Sequence, residues 1–158
     1  MKKIILTTAA IFAFGFANAQ SGAFRLGAHV GLPTGDIKDG TSANLGADVA
    51  YTWSVAEGLD AGIASGYTIY LGKDGLDPTG FIPVAATAQF TLTNNWFIGA
   101  DLGYAIGIHP SYDTESGFLY QPKFGYQMEK AGVYLSYKGI ALDGVTVSSV
   151  NLGVCFKL

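Results

Sequence analysis

The chain is short of charge, of cysteine and of long apolar runs, and each shortage removes a class of protein. Asp, Glu, Lys and Arg make up 13% of the residues, about half the roughly 25% of a soluble domain. A water-soluble surface is hard to build from so little charge. Cys155 is the only cysteine, so no internal disulfide can form. Beyond residue 19, no apolar stretch reaches the roughly 18–20 residues that a spanning helix needs. Basic residues are not in excess either: the net charge is −3, which argues against nucleic acid as a partner. Yet 49% of the residues are hydrophobic. A chain with so little charge and no spanning helix has one other route across a bilayer, a closed β-barrel that pairs every backbone group between strands.

The first residues read as a secretory signal. Lys2 and Lys3 precede a mostly apolar run to Phe16, and Ala17-Asn18-Ala19 is a small-x-small cleavage site. Cleavage after Ala19 leaves residues 20–158 as one domain and takes the net charge to −5, because both lysines leave. No cysteine stands at the junction to carry a lipid anchor.

What fills the remainder is alternation with period two. Phe24, Leu26, Ala28 and Val30 share one face, with Arg25, Gly27 and His29 on the other. Comparable runs cover 44–56, 59–71, 81–93, 96–108, 117–128 and 132–138, and an eighth ends the chain on Val150, Leu152, Val154, Phe156 and Leu158. Most are longer than the roughly 5–6 residues of a soluble strand and suit the roughly 9–11 residues of a tilted strand crossing a bilayer. Glycines recur every fourth residue, as at Gly99, Gly103 and Gly107. Spacing four is twice two, so they lie on one face of a strand, and the runs are too short for packed spanning helices. Glu57-Gly58, Asn94-Asn95 and Glu129-Lys130 read as tight turns, and 35–43, 72–80, 109–116 and 139–149 as longer polar loops. The expected fold is all-β: an eight-stranded, antiparallel, up-and-down transmembrane barrel with short periplasmic turns and longer extracellular loops. Aromatics on the apolar face near both strand ends, among them Trp96, Phe90, Tyr104 and Phe118, would form the two interfacial belts. Gly, Ala, Ser and Thr dominate the opposite, lumenal face. Pro122 predicts a bulge or break in the sixth strand. A phase slip between Val147 and Val150 predicts a bulge at Ser148-Ser149.

With these features in place, the chain resembles the outer-membrane β-barrel domain proteins of the OmpA/OmpX/OmpW-like porin-family set, of Bacteroidetes type. Gly27-Ala28-His29-Val30-Gly31-Leu32-Pro33-Thr34-Gly35-Asp36 is similar to their first strand and loop. Asn151-Leu152-Gly153-Val154-Cys155-Phe156-Lys157-Leu158 is similar to the closing signal read by the barrel assembly machinery, although it ends on Lys157-Leu158 rather than on an aromatic. The resemblance implies residence in the outer membrane of a Gram-negative cell among lipids and lipopolysaccharide. It leaves any extracellular partner open.

Residues that could carry chemistry are few. His109, Ser111, Asp113 and Glu115 share one loop and could form a Ser/His/acid set, which resembles the His-x-Ser arrangement of small lipid A deacylases. A solvated polar loop explains them as well. Asp36, Asp39, Asp74 and Asp77 match no EF-hand spacing. The 35–42 stretch has Thr41 where a phosphate loop needs lysine. No cofactor and no metal site is expected. On the lumenal face Asp101 should meet Lys123 across strands five and six, and His29 should meet Asp48 in the first hairpin, because a charge confined there needs a partner. Eight strands leave an interior that side chains fill. The expected role is therefore non-enzymatic: structural, adhesive or envelope-protective. The alternatives are a lipid A-modifying enzyme, or a narrow barrel that binds or conducts small hydrophobic molecules.

Overall fold

The computed structural model describes residues 22–109 and 115–158; the expected signal peptide, 1–19, lies outside them. Alternating sequence becomes eight strands: β1 (Ala23–Gly35), β2 (Thr41–Ala56), β3 (Leu59–Gly72), β4 (Thr79–Thr91), β5 (Trp96–Ile108), β6 (Gly117–Gln127), β7 (Ala131–Ala141) and β8 (Thr146–Lys157). Each pairs antiparallel with the next, and β8 returns to β1 to close the barrel. The closing seam is continuous from Arg25↔Lys157 to Gly35↔Val147. Closure leaves no edge with unpaired N–H and C=O groups. Both ends of the described chain lie at the tight-turn end, where Leu158 N–H donates to Phe24 O.

The turns there follow from their residues. Gly58 takes a left-handed φ of 72°, and Asn94 and Asn95 take 63° and 67°, a conformation that asparagine tolerates better than most residues. At the opposite, loop end, residues 36–40 and 73–78 form real loops. The expected fourth loop, 139–149, is not one. Strands β7 and β8 continue to Ala141 and from Thr146, and Leu142 N–H donates to Val145 O around Asp143-Gly144. Asp-Gly is a strong two-residue hairpin signal. The bulge expected at Ser148-Ser149 is also absent: Lys138↔Ser149, Gly139↔Ser148 and Ile140↔Val147 run in unbroken register. The phase never slips. Val147 faces the interior, so an apolar residue occupies a position where the sequence pattern leads one to expect a polar one.

Pro122 does interrupt pairing. The β6–β7 register passes from Tyr120↔Gly139 to Lys123↔Ser136, skipping Gln121 and Pro122. Pro83 has the same effect on β3–β4, between Ser65↔Val84 and Thr68↔Phe81. The Ser65 hydroxyl there donates to Pro83 O at 2.8 Å. Proline has no N–H to give the ladder.

Which face points out is unambiguous. Leu102 is 54% exposed, and Leu26, Val30, Val84, Ile98, Tyr104, Phe118, Leu135 and Leu152 are comparably bare. A soluble protein rarely tolerates so large an apolar surface. Among the described strand residues, Arg25, Asp48, Asp60, Asp101, Lys123 and Lys138 all turn inward, and Lys157 sits at the end of β8. Lipid is the solvent that this exterior fits. An arginine at Leu102, half-way along β5, should cost roughly 2–4 kcal/mol in a bilayer, and methionine there less than about 1.5 kcal/mol. Denaturant unfolding of the barrel in liposomes reads both, and an arginine as mild as the methionine would show that the face is misassigned.

Candidate functional site

Side chains occupy the interior in three layers. At the tight-turn end, Arg25 spans β1 to β3 and β4: one guanidinium nitrogen lies 2.8 Å from Asp60 Oδ2, and the other donates to Gln89 Oε1 at 2.6 Å. Beside it, Arg25, Asp48, Lys123, Tyr134 and Cys155 help to line a cavity of about 60 Å3. A water molecule needs at least about 10–15 Å3 of such space, so this layer has room for a few.

The middle layer is a connected polar network. His29 Nδ1 is 2.7 Å from Asp48 Oδ2, and the same oxygen accepts from Tyr134 OH at 2.9 Å. On the other side of the ring, Lys138 Nζ is 3.2 Å from His29 Nε2 and donates to Thr68 Oγ1 at 2.8 Å. An ammonium has no lone pair. Facing a protonated Lys138, Nε2 must accept, and the ring proton sits on Nδ1 and points at Asp48. Gly46 makes this placement possible. It pairs with His29 across β1–β2, and a Cβ there would come within 2.3 Å of the imidazole Cε1. Alongside, Lys123 Nζ is 2.5 Å from Asp101 Oδ2, whose other oxygen accepts from Thr87 Oγ1 at 2.6 Å. Lys123 also lies over the Tyr134 ring, 5.5 Å from its centroid. Three cations and three carboxylates thus share the lumen among the described residues.

Both pairs read from the sequence face each other diagonally rather than straight across. Asp101 sits opposite Gln121 and Lys123 opposite Gly99. Asp48 sits opposite Gly27 and His29 opposite Gly46. In each case the longer side chain reaches two residues along the neighbouring strand, over a glycine. Sequence reasoning did not find Tyr134 and Thr68. The parity of β7, with Gly132, Tyr134, Ser136 and Lys138 on one face, could have revealed Tyr134.

The third layer corrects the expectation of a lumenal face made mostly of small residues. At the loop end, Tyr70, Phe81, Ala85, Ala105, Leu119, Ile140 and Val147 form a buried apolar cluster, with Ile37 and Leu142 packed on it. Tyr70 and Phe81 meet edge-to-face with centroids 6.0 Å apart. This dry stopper closes the lumen. Above it the loops leave an open cup of about 520 Å3, whose lining includes Asp36, Tyr70, Leu76, Asp77, Leu142 and Val147.

The loop that holds the possible Ser/His/acid set is described only in part. His109 lies just beyond β5, lining a separate open pocket with Tyr67, Ile69, Asp77 and Pro78. Glu115 is exposed. Ser111 and Asp113 lie outside the described residues. Among the described residues, no group of three His, Cys, Asp or Glu is placed to hold a metal ion.

Comparison with known structures bears on this architecture. Ail, the attachment invasion locus protein of Yersinia pestis, matches with a TM-score of 0.60 at 14% identity, over 87% of this chain and 97% of Ail. The N-terminal β-barrel domain of Pseudomonas aeruginosa OprF matches with a TM-score of 0.55 at 13% identity, over 87% and 98%. The fold is that of the eight-stranded outer-membrane barrels. A de novo designed transmembrane β-barrel matches as well, with a TM-score of 0.56 at 11% identity over 88% and 98%. Likeness at this level therefore speaks for the backbone and not for a task. No protein-family model matches the chain, and neither does any curated sequence.

The Asp101–Lys123 contact can be weighed by a double-mutant cycle. Asp101→Asn and Lys123→Met should each destabilise the barrel, and the double variant should lose less than the sum by about 0.5–3 kcal/mol, the range for residues sharing a network. Strict additivity in denaturant unfolding would mean that the two charges are hydrated independently.

Proposed function

We propose that the chain is a non-enzymatic outer-membrane protein that holds its loop end at the cell surface, with an adhesive or envelope-protective role. The observation that carries this reading is the filled lumen. Arg25, His29, Lys138 and Asp101 occupy its polar part, and the Phe81–Ile140 stopper its dry end. An eight-stranded barrel is only wide enough for its own side chains, and here those side chains interlock. With passage through the centre blocked, two surfaces remain for function: the lipid-facing band, which seats the barrel among outer-membrane lipids and lipopolysaccharide, and the loop end. The name of Ail as an attachment invasion locus protein supports the adhesive side of the reading by analogy alone. The enzymatic alternative, built on His109 and Ser111, would alter lipid A, and mass analysis of lipid A from cells with and without the protein separates it from the reading preferred here.

The blocked lumen makes a direct test available. Reconstituted in planar bilayers and shown to be folded by its heat-modifiable gel migration, the protein should leave the membrane insulating. Steady unit conductance from the unaltered chain would overturn the reading and favour a conduit.

A further inference from the structure

We propose that the cup at the loop end is a binding site for a small amphipathic cation, an amine joined to an aromatic or branched apolar group. The proposal rests on the reading of the loop end as the working surface and adds a ligand class to it.

The cup joins an apolar floor to an acidic rim. Its floor is apolar: Tyr70, Phe81, Leu142 and Val147 belong to or pack on the stopper that seals the lumen. Leu76, 61% exposed, stands at its side. The chain places it there: Gly72 gives the Leu76 backbone room, since a Cβ on Gly72 would come within 2.2 Å of Leu76 O. At about 520 Å3 the cup is within the roughly 300–1,000 Å3 of small-molecule sites.

The second feature is the sign of the charge. Asp36 and Asp77 line the cup, and among the described residues no lysine or arginine does. Lys38 and Lys73 belong to the same loops, but the Lys73 ammonium donates to Lys38 O at 2.8 Å. The loops contribute Asp36, Asp39, Asp74, Asp77 and Asp143 against those two lysines. An apolar floor under a negative rim selects a ligand with an apolar body and a positive end, and disfavours the corresponding anion. The sealed floor makes the cup a capture site and not the entrance of a path.

The walls are also fixed in advance, which lowers the ordering cost of binding. Lys73 N–H donates to Gly40 O at 2.9 Å, and Leu76 N–H to Lys73 O at 2.9 Å, so the β1–β2 and β3–β4 loops are tied together. Asp36 Oδ2 accepts from Thr146 N–H at 3.1 Å, which ties the first of them to β8.

The test uses the full barrel in phosphatidylcholine nanodiscs, with methyl NMR at Leu76 and Val147 and three probes: 4-phenylbutylamine, 4-phenylbutyrate and n-butylamine. The aryl amine should bind saturably and shift both methyl groups. The carboxylate and the amine without a ring should each bind at least about tenfold more weakly, as should the aryl amine to Asp36→Asn/Asp77→Asn and to Leu76→Gln. Gel migration of both variants should stay that of the folded barrel, because all three side chains stand at the rim. Equal binding of aryl amine and aryl carboxylate overturns the proposal, as does undiminished binding by the double variant. So does a response confined to lipid-facing methyls such as those of Leu102, which would mean partition into the disc. A conducting barrel with an intact amine site would overturn the function proposed above and leave this inference standing.

Discussion

A backbone amide left without a partner in hydrocarbon costs several kcal/mol, and that single penalty organises the whole molecule. It forces the sheet to close on itself, which the β1–β8 seam achieves. Closure with eight strands then creates an interior too narrow for bulk water and an exterior that touches only lipid. Arg25, Asp48, Asp60, Asp101, Lys123 and Lys138 are driven inward by the second condition and must find partners under the first. The barrel is thus the reverse of a soluble protein, with its polar network at the centre and its apolar side chains outside.

The network shows how such an interior is specified. Charges alone would permit several pairings. The glycines remove that freedom, because a long side chain can lie down only where its neighbour has none. His29 over Gly46 and Lys123 opposite Gly99 are both of this kind. One oxygen of Asp48 then receives His29 from β1 and Tyr134 from β7, so two strands on opposite sides of β8 are joined through the lumen. The dry cluster at the loop end has a different logic. It excludes water where the lumen would otherwise open to the outside, and it becomes the floor of the cup.

Much of this was legible in the chain. Period-two alternation over eight long runs gave the strands, their faces and the antiparallel order, because those depend only on local parity. The presence of Asp101, Lys123, His29 and Asp48 on the inner face followed from the same parity. Their diagonal geometry did not, since register is settled by turns and bulges that parity cannot see. Two apolar residues depart from the pattern for a clear reason. Ile140 and Val147 point inward near the loop end, where a rule that puts bulky residues outside leaves them to a loop. The mistaken bulge at Ser148-Ser149 and the missed Asp143-Gly144 turn both came from refusing Val147 an inward position. The cup was out of reach, being formed by loops that meet only after the barrel has closed.

The last strand also bears on how the barrel can come apart. Strand β8 supplies Val147 to the stopper and Ser149 to the hydroxyl of Tyr70, 3.2 Å away, while its backbone completes the seam with β1 and β7. Seven strands without it would have two raw edges, a stopper short of Val147 and a Tyr70 hydroxyl short of Ser149. Closing the sheet and completing its dry end therefore both wait on β8.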